Sequence, residues 1–240
     1  MRLDPLAVAR EFVRERFPDA VQAWLAGSTV TGTATATSDL DITVLLAETD
    51  DVHRESLTYQ GWPVEVFVHT ETSIRHFVHT DTQRRRPTMA RLVATGNPLL
   101  PGTGGDVIRA ECAATIEAGP ASASGADLDL MRYLLTDLVD DLLGLGGSGP
   151  VADAVIVEVW RSTAEFVLVS HRWWSGSGKW LMRELEALDC QHGTGYAGRL
   201  HEALRRAING EPGVLVAVAD DVLAMRGGRL WAGYSQSASI

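Results

Sequence analysis

The chain has 240 residues, of which 21 are Lys or Arg and 31 are Asp or Glu, giving a formal net charge of −10. This charge argues against a protein that binds nucleic-acid backbones. Hydrophobic residues make up 45%, as in ordinary folded proteins, and no apolar run is long enough to cross a membrane. We expect no secretion signal and two unpaired thiols, Cys112 and Cys190. These expectations predict a cytoplasmic protein without nucleic-acid or membrane partners.

The charge is distributed unevenly along the chain. Residues 1–105 hold 13 acids and 10 bases, a net charge of −3, whereas residues 106–240 hold 18 acids and 11 bases, a net charge of −7. An acidic second half favours a cationic small molecule over a polyanion as its ligand.

The first half predicts a helix followed by a small sheet. Asp4 and Pro5 suit the N-cap and the first position of a helix, which Pro18 ends. A further helix is predicted over Ser73–Thr95, ending at Gly96. Between them lie three apolar runs that predict strands, the last with strict alternation; they are Ala20–Ala26, Leu40–Leu46 and Pro63–His69.

The glycines Gly102, Gly104 and Gly105 predict a domain boundary, with one domain at 1–105 and another at 106–240. Beyond them, apolar residues recur at helical spacing. The fold class predicted is therefore α+β, a small mixed-sheet domain followed by a C-terminal helical bundle, and its apolar stripes leave a homodimer open. The predicted helices are Asp127–Leu143, Val151–His171, Lys179–Leu188, Gly195–Asn209 and Pro212–Met225.

Three carboxylates on the predicted strands form the main candidate site. Asp39 and Asp41 are two residues apart, so both side chains point to the same face of their strand. Glu65 lies on the next predicted strand. Like charges side by side favour a bound cation, and hard oxygen ligands favour Mg²⁺. Together the three acids can hold two Mg²⁺ ions, which would clamp the attacking and leaving oxygens of an in-line displacement.

Gly27 and Ser28 precede the aspartate pair by about ten residues and lie just before a predicted helix over Thr29–Thr33. Backbone amides and a hydroxyl at a helix N-terminus can hold a terminal phosphate. We therefore expect Gly27 and Ser28 to bind the nucleotide.

This order of elements resembles the nucleotidyltransferase superfamily that includes DNA polymerase β. Its signature is an apolar residue with Gly-Gly or Gly-Ser, about ten residues, an Asp-x-Asp pair and a carboxylate on a following strand. Residues 20–70 carry the resemblance, and the helix with Arg91, Leu92 and Gly96 extends it more loosely. It implies Asp39, Asp41 and Glu65 as catalytic and metal-ligating residues.

The two-part layout looks most like the branch that modifies antibiotics, the aminoglycoside and lincosamide nucleotidyltransferases. This resemblance implies transfer of a nucleoside monophosphate, AMP from ATP in the expected case, to a hydroxyl of a small molecule, with release of pyrophosphate. A cationic, aminoglycoside-like acceptor would suit the acidic second half. The acceptor's own identity is not encoded in any motif of the second half.

A general base must take the proton of the attacking hydroxyl. Glu65 could serve as ligand and base together. Other candidates lie on predicted helices, where they could also form an acidic lip for an ammonium-rich acceptor; they are Asp137, Asp140, Asp141, Glu158 and Glu165. Each of these alone is more consistent with an exposed surface acid than with a base.

Lys179 is the one lysine among 21 basic residues, and it follows the Gly/Ser stretch 175–178 at the start of a predicted helix. The stretch is not a P-loop, because Trp173 and Trp180 stand where its first glycine and its Ser/Thr would be. Lys179 is either a triphosphate contact or a solvent-exposed lysine.

The sequence leaves two other classes of function as alternatives. One is a nucleotidyltransferase that modifies a protein or RNA in a toxin–antitoxin-like or regulatory pair; residues 106–240 lack the Arg-(four to six residues)-His element expected of its helical RNase partner. The other is a nucleotide-sensing module that has lost catalysis, which the presence of all three carboxylates disfavours.

Overall fold

The computed structural model describes residues 3–146 and 149–237. It divides into two compact units, Met1–Gly119 and Pro120–Ile240. The first contains a mixed sheet with helices and the second is helical, which confirms the α+β class.

The first unit is built on a five-stranded sheet of order β3-β4-β2-β1-β5. Strands β2 and β4 are parallel, and the other neighbours are antiparallel. Its elements in chain order are α1 (Pro5–Arg16), β1 (Gln22–Ala26), β2 (Leu40–Leu45), β3 (His53–Tyr59), β4 (Trp62–His69), α2 (Glu71–Gln83), α3 (Thr88–Ala94), β5 (Asn97–Pro98) and α4 (Asp106–Ala118).

The two faces of this sheet pack against different helices. Leu40, Ile42 and Val44 of β2 alternate onto the face that α1 covers through Phe12. The intervening residue Leu45 lies on the other face, in a cluster with residues of α2, α3 and α4. The period-2 alternation of β2 therefore places Asp41, which has the same parity as Leu45, on the face of α2, α3 and α4.

Strands β3 and β5 are absent from the sequence prediction. Strand β3 is an edge strand whose residues alternate between half-buried and exposed, so its apolar signal is weak. A tight turn joins it to β4 at Gln60 and Gly61, both with positive φ, as two-residue hairpins require.

The helix predicted over Ser73–Thr95 is two helices, α2 and α3. The chain breaks between them where Arg85 adopts a φ of 56° and Pro87 follows. Proline disfavours helical geometry in the residue before it, which explains the interruption.

Helix α4 lies in the first unit, so the units divide after Gly119 and not at the glycines 102–105. Ile108 and Cys112 of α4 are buried in the cluster that contains Trp24. A Cβ added to Gly105 would lie 2.9 Å from the Trp24 ring. This glycine permits close packing inside the unit and is not part of an interdomain linker.

The second unit contains five helices within its described residues, each overlapping a helix predicted from the sequence. They are α5 (Gly125–Gly144), α6 (Pro150–Ser170), α7 (Lys179–His192), α8 (Tyr196–Ile208) and α9 (Pro212–Ala224). Their apolar residues form one continuous core. In the described part of the chain, none of the helices has the length and apolarity needed to span a membrane.

The segment after α9 is fastened to α5. Thr136 accepts a hydrogen bond from the Leu230 backbone at 2.9 Å, and Arg132 Nε donates to the Gly228 carbonyl at 3.0 Å. Further along, the rings of Tyr133 and Tyr234 are stacked with centroids 4.3 Å apart. These contacts hold the segment against the bundle.

Replacement of Phe12 by Ala tests the core between α1 and the sheet. Phe12 is fully buried, with ring centroids of Phe17 and Tyr59 at 6.0 and 5.2 Å. The cavity should lower the free energy of unfolding of the first unit by about 3–5 kcal/mol, measured by urea denaturation. Phe77→Ala is the control, because Phe77 is 41% exposed; it should lose no more than about 1.5 kcal/mol. Equal losses would contradict this account of the core.

Candidate active site

A row of side chains crosses the sheet on the face of α2, α3 and α4. Asp41 of β2 is in register with Glu65 of β4 on one side and with Ala26 of β1 on the other. Adjacent strands lie about 4.8 Å apart, so Asp41 and Glu65 are direct neighbours. Asp39 lies one residue before β2 begins, and all three carboxylates are half-buried. The structure thus places the three predicted acids on the neighbouring central strands β2 and β4, near the start of β2.

Gly27 follows the end of β1 and lies directly against Asp41. Its φ is +78°, and a Cβ at this position would be 2.0 Å from Asp41 Oδ2. No residue with a side chain could occupy this position without displacing the carboxylate. The predicted Gly-Ser element and the Asp-x-Asp pair are therefore in contact.

Ser28 is tied to Ser38, the residue that precedes Asp39. Ser28 Oγ donates a hydrogen bond to Ser38 Oγ at 2.9 Å, and the Thr35 backbone N–H donates to the same oxygen at 2.8 Å. Ser38 is 8% exposed. It fastens the two ends of the loop that joins the Gly-Ser element to the aspartates. Sequence reasoning missed Ser38; its position directly before the first aspartate was the available signal.

The helix predicted over Thr29–Thr33 is wrong. The segment forms hydrogen-bonded turns, in which Val30 and Thr31 donate to the Gly27 carbonyl at 3.2 and 3.3 Å. Gly32, with a φ of +72°, ends the helical geometry. A phosphate bound here would therefore contact turn amides and the Ser28 hydroxyl, without the dipole of a helix.

Glu65 has two partners on β3, one of the two strands that the sequence did not predict. The guanidinium of Arg54 forms an ion pair with Glu65 Oε1, and Ser56 Oγ donates to the same oxygen at 3.4 Å. Both partners lie on the side of β4 away from Asp41. Within the described residues, no three His, Cys, Asp or Glu side chains converge as a metal site.

The donor set nevertheless suits Mg²⁺. It consists of carboxylate oxygens alone, the ligands that this hard cation prefers. Asp41 occupies the space left by the missing side chain of Gly27, and Asp39 is two residues away along the chain. A rotation of the Glu65 side chain away from Arg54 would bring the third oxygen ligand to the start of β2.

His69 ends β4 on the same face as Glu65 and is buried. Its Nδ1 lies 3.0 Å from Ser73 Oγ at the start of α2. Burial, aided by repulsion from His53, lowers the pKa of His69 to about 4. His69 is therefore neutral at physiological pH and is not suited to protonate a leaving group there.

Lys179 lies on the second unit, as the first residue of α7, and its side chain is exposed. The preceding Gly178 has a φ of 53°. Trp173 and Trp174 pack into the unit, whereas Trp180 is 40% exposed with Arg183 stacked over its ring at 5.0 Å. The tryptophans on either side of the Gly/Ser stretch thus have different environments.

Three of the five helical acids considered as bases are ion-paired. Arg161 bridges Glu158 and Glu165, at 2.6 and 3.1 Å, and Arg229 contacts Asp140 at 2.7 Å. Among the described residues, no basic side chain pairs with the two other acids. These are Asp137, which is half-buried, and Asp141, which is exposed.

The mixed sheet brings a Gly-Ser turn, an Asp-x-Asp strand and a further carboxylate together. This arrangement is suited to phosphoryl-group chemistry. Residues 6–87 match the family model described as nucleotidyltransferase domain, and this stretch contains each candidate residue of the first unit. On that match, residues 6–87 form a nucleotidyltransferase domain.

Among solved structures, one similar chain is a nucleotidyltransferase-like protein from Exiguobacterium sibiricum. It has 10% sequence identity and a TM-score of 0.41, over 92% of this chain and 80% of that one. Among proteins of curated function, none matches the chain closely enough to count as a relative.

The contact between Gly27 and Asp41 predicts a specific effect of Gly27→Ala. Both Gly27 and Gly32 have positive φ, but a Cβ on Gly32 would meet nothing within 4 Å. Gly32→Ala therefore adds only backbone strain, about 1 kcal/mol, whereas Gly27→Ala also displaces the carboxylate. We expect pyrophosphate release to fall at least about 100-fold in Gly27→Ala and only a few-fold in Gly32→Ala. Similar activity in the two variants would contradict the proposed importance of the contact between Gly27 and Asp41.

Proposed function

We propose that the protein transfers a nucleoside monophosphate, AMP from ATP in the simplest case, to a hydroxyl of a small molecule in a Mg²⁺-dependent reaction. The observation that carries this proposal is the register of Asp41 with Glu65 and the contact of Asp41 with Gly27. These features put the oxygen ligands and the Gly-Ser turn within one triphosphate's length of each other.

The roles of the residues follow from their chemistry. Asp39, Asp41 and Glu65 would hold two Mg²⁺ ions, which stabilise negative charge on the attacking and leaving oxygens. Gly27 and Ser28 would bind the terminal phosphates through turn amides and a hydroxyl. The acceptor oxygen then attacks the α-phosphorus, the bond from that phosphorus to the bridging oxygen breaks, and pyrophosphate leaves.

The proton of the attacking hydroxyl must pass to a base. Glu65 is one candidate, provided that it gives up Arg54. Asp137 and Asp141 are better candidates from the second unit than the three acids that pair with arginines, because no described basic side chain engages their carboxylates.

A cationic acceptor, such as an aminoglycoside-like antibiotic, is supported by the net charge of −7 over residues 106–240. The ion pairs of Arg161 and Arg229 reduce the acidic lip that the sequence suggested. Asp137 and Asp141 would then be the carboxylates available to an ammonium group.

An assay across substrates tests the proposal. The full chain is incubated with Mg²⁺, each of the four nucleoside triphosphates and a panel of hydroxyl-bearing amines, including aminoglycosides, and products are followed by mass spectrometry. One nucleotide should add its monophosphate mass to one class of acceptor. Labelling of protein or RNA in place of small molecules would favour the regulatory alternative, and no transfer with any triphosphate would contradict both.

Substitutions of the three acids should separate catalysis from folding. Asp39→Asn, Asp41→Asn and Glu65→Gln should each lower Mg²⁺-dependent pyrophosphate release at least about 100-fold, because each removes a charge that holds the metal. Asp50→Asn is the matched control, since Asp50 is exposed a few residues after β2, and it should keep full activity. Equal activity of Asp41→Asn and Asp50→Asn would refute the metal assignment.

The proposed contact of Lys179 with the triphosphate predicts an effect on binding alone. Lys179→Ala should raise the KM for the triphosphate about tenfold and leave kcat nearly unchanged, because a charge-assisted hydrogen bond is lost in ground state and transition state alike. Arg183→Ala, in the same helix, serves as control and should leave KM unaltered. An unchanged KM in Lys179→Ala would make this lysine a surface residue.

A further inference from the structure

Arg54 forms an ion pair with Glu65, one of the three candidate catalytic carboxylates. It lies on β3 in register with Phe67, one position along from the pair Ser56 and Glu65. Its guanidinium carbon lies 5.3 Å from the centroid of the Phe67 ring, and its Nη2 donates to Glu65 Oε1. The stacking contact and the ion pair together fix the guanidinium over β4.

Glu65 lies between two competing positive charges when a metal is present. Strand β4 separates β2 from β3, so Asp41 and Arg54 flank Glu65 from opposite sides. The hydrogen bonds of Arg54 and Ser56 both end on Oε1, which draws the carboxylate toward β3. An ion held by Asp39 and Asp41 would draw the same carboxylate toward β2.

We propose that Arg54 is a positioning residue that holds Glu65 away from the aspartates until a divalent ion displaces it. The proposal rests on the metal site described under the proposed function. It explains why the acids lie on neighbouring strands while no three of them, within the described residues, converge on a metal position.

The ion pair between Arg54 and Glu65 is exposed to solvent, so Arg54 lowers metal affinity without preventing metal binding. The Arg54 side chain is 61% exposed and that of Glu65 is 19% exposed. Solvent weakens an ion pair of this kind, so that it alters a binding constant by no more than about fivefold. A divalent ion with two aspartate ligands can therefore displace Arg54 at ordinary concentrations.

The test measures binding of Mn²⁺, a paramagnetic substitute for Mg²⁺, to the full chain without nucleotide. Electron paramagnetic resonance of the free ion gives the dissociation constant. Arg54→Gln should bind Mn²⁺ about three- to fivefold more tightly than the unaltered protein, because the competitor for Glu65 is gone. In a Glu65→Gln background, the same substitution should change the constant less than about 1.5-fold.

The control is Arg16→Gln. Arg16 pairs with Glu55 at 3.0 Å, and Glu55 lies on β3 but on the opposite face from Glu65. Arg16 itself is the last residue of α1, so this variant removes a positive charge and an exposed ion pair to β3 without touching Glu65, and it should leave Mn²⁺ binding unaltered. Because Arg54 is mostly exposed, we expect Arg54→Gln to fold, and its thermal midpoint verifies this.

The outcomes separate this proposal from the proposed function. If Asp41→Asn binds Mn²⁺ as well as the unaltered protein, the metal site itself is refuted, and the role of Arg54 with it. If Asp41→Asn loses binding but Arg54→Gln does not gain it, only the role of Arg54 is refuted. A gain of equal size with and without Glu65 would show a general charge effect and would also overturn the positioning role.

Discussion

The close approach of Gly27 to Asp41 is the constraint on which the candidate site depends. It requires that β1 end where β2 begins, which their antiparallel register provides by pairing Ala26 with Asp41. The parallel register of β2 with β4 then sets Glu65 beside Asp41. A slip of one residue in either register would turn a carboxylate to the opposite face, where α1 packs. The buried apolar residues on both faces, which fix these registers, therefore determine the geometry of the polar site.

The site lies at the rim of an apolar layer. Along β2, Asp41 is half-buried, whereas Thr43 and Leu45 on the same face are almost fully buried. This gradient places the carboxylates where water and a nucleotide can reach them, while the layer behind them excludes solvent. Such a boundary strengthens electrostatic interactions without the full desolvation penalty of a buried charge cluster. The neutral state of His69, deeper along β4, shows the effect of that layer on a group that is not at the rim.

The sequence predicted the helices and the central strands well because their apolar periodicity is strong. It missed β3, whose residues alternate without a buried face, and it merged α2 with α3 across Pro87. It took Gly105 for a boundary, although that glycine serves close packing on Trp24. Within the site, spacing indicated Asp39, Asp41 and Glu65 as neighbours, but the tertiary contacts of Ser38 and Arg54 leave no periodic pattern. Contacts between residues that are distant in sequence can be found only from the strand register.

Strand β3, which the sequence did not predict, also changes the interpretation of Glu65. From the sequence alone, this residue is the third metal ligand and could serve as the general base as well. The structure adds a third relationship, the ion pair with Arg54, and all three draw on the same carboxylate. An arginine on β3 and an ion held by the aspartates on β2 would draw this carboxylate to opposite sides of β4. The register of three adjacent strands, which no local sequence pattern contains, therefore decides which partners Glu65 can reach.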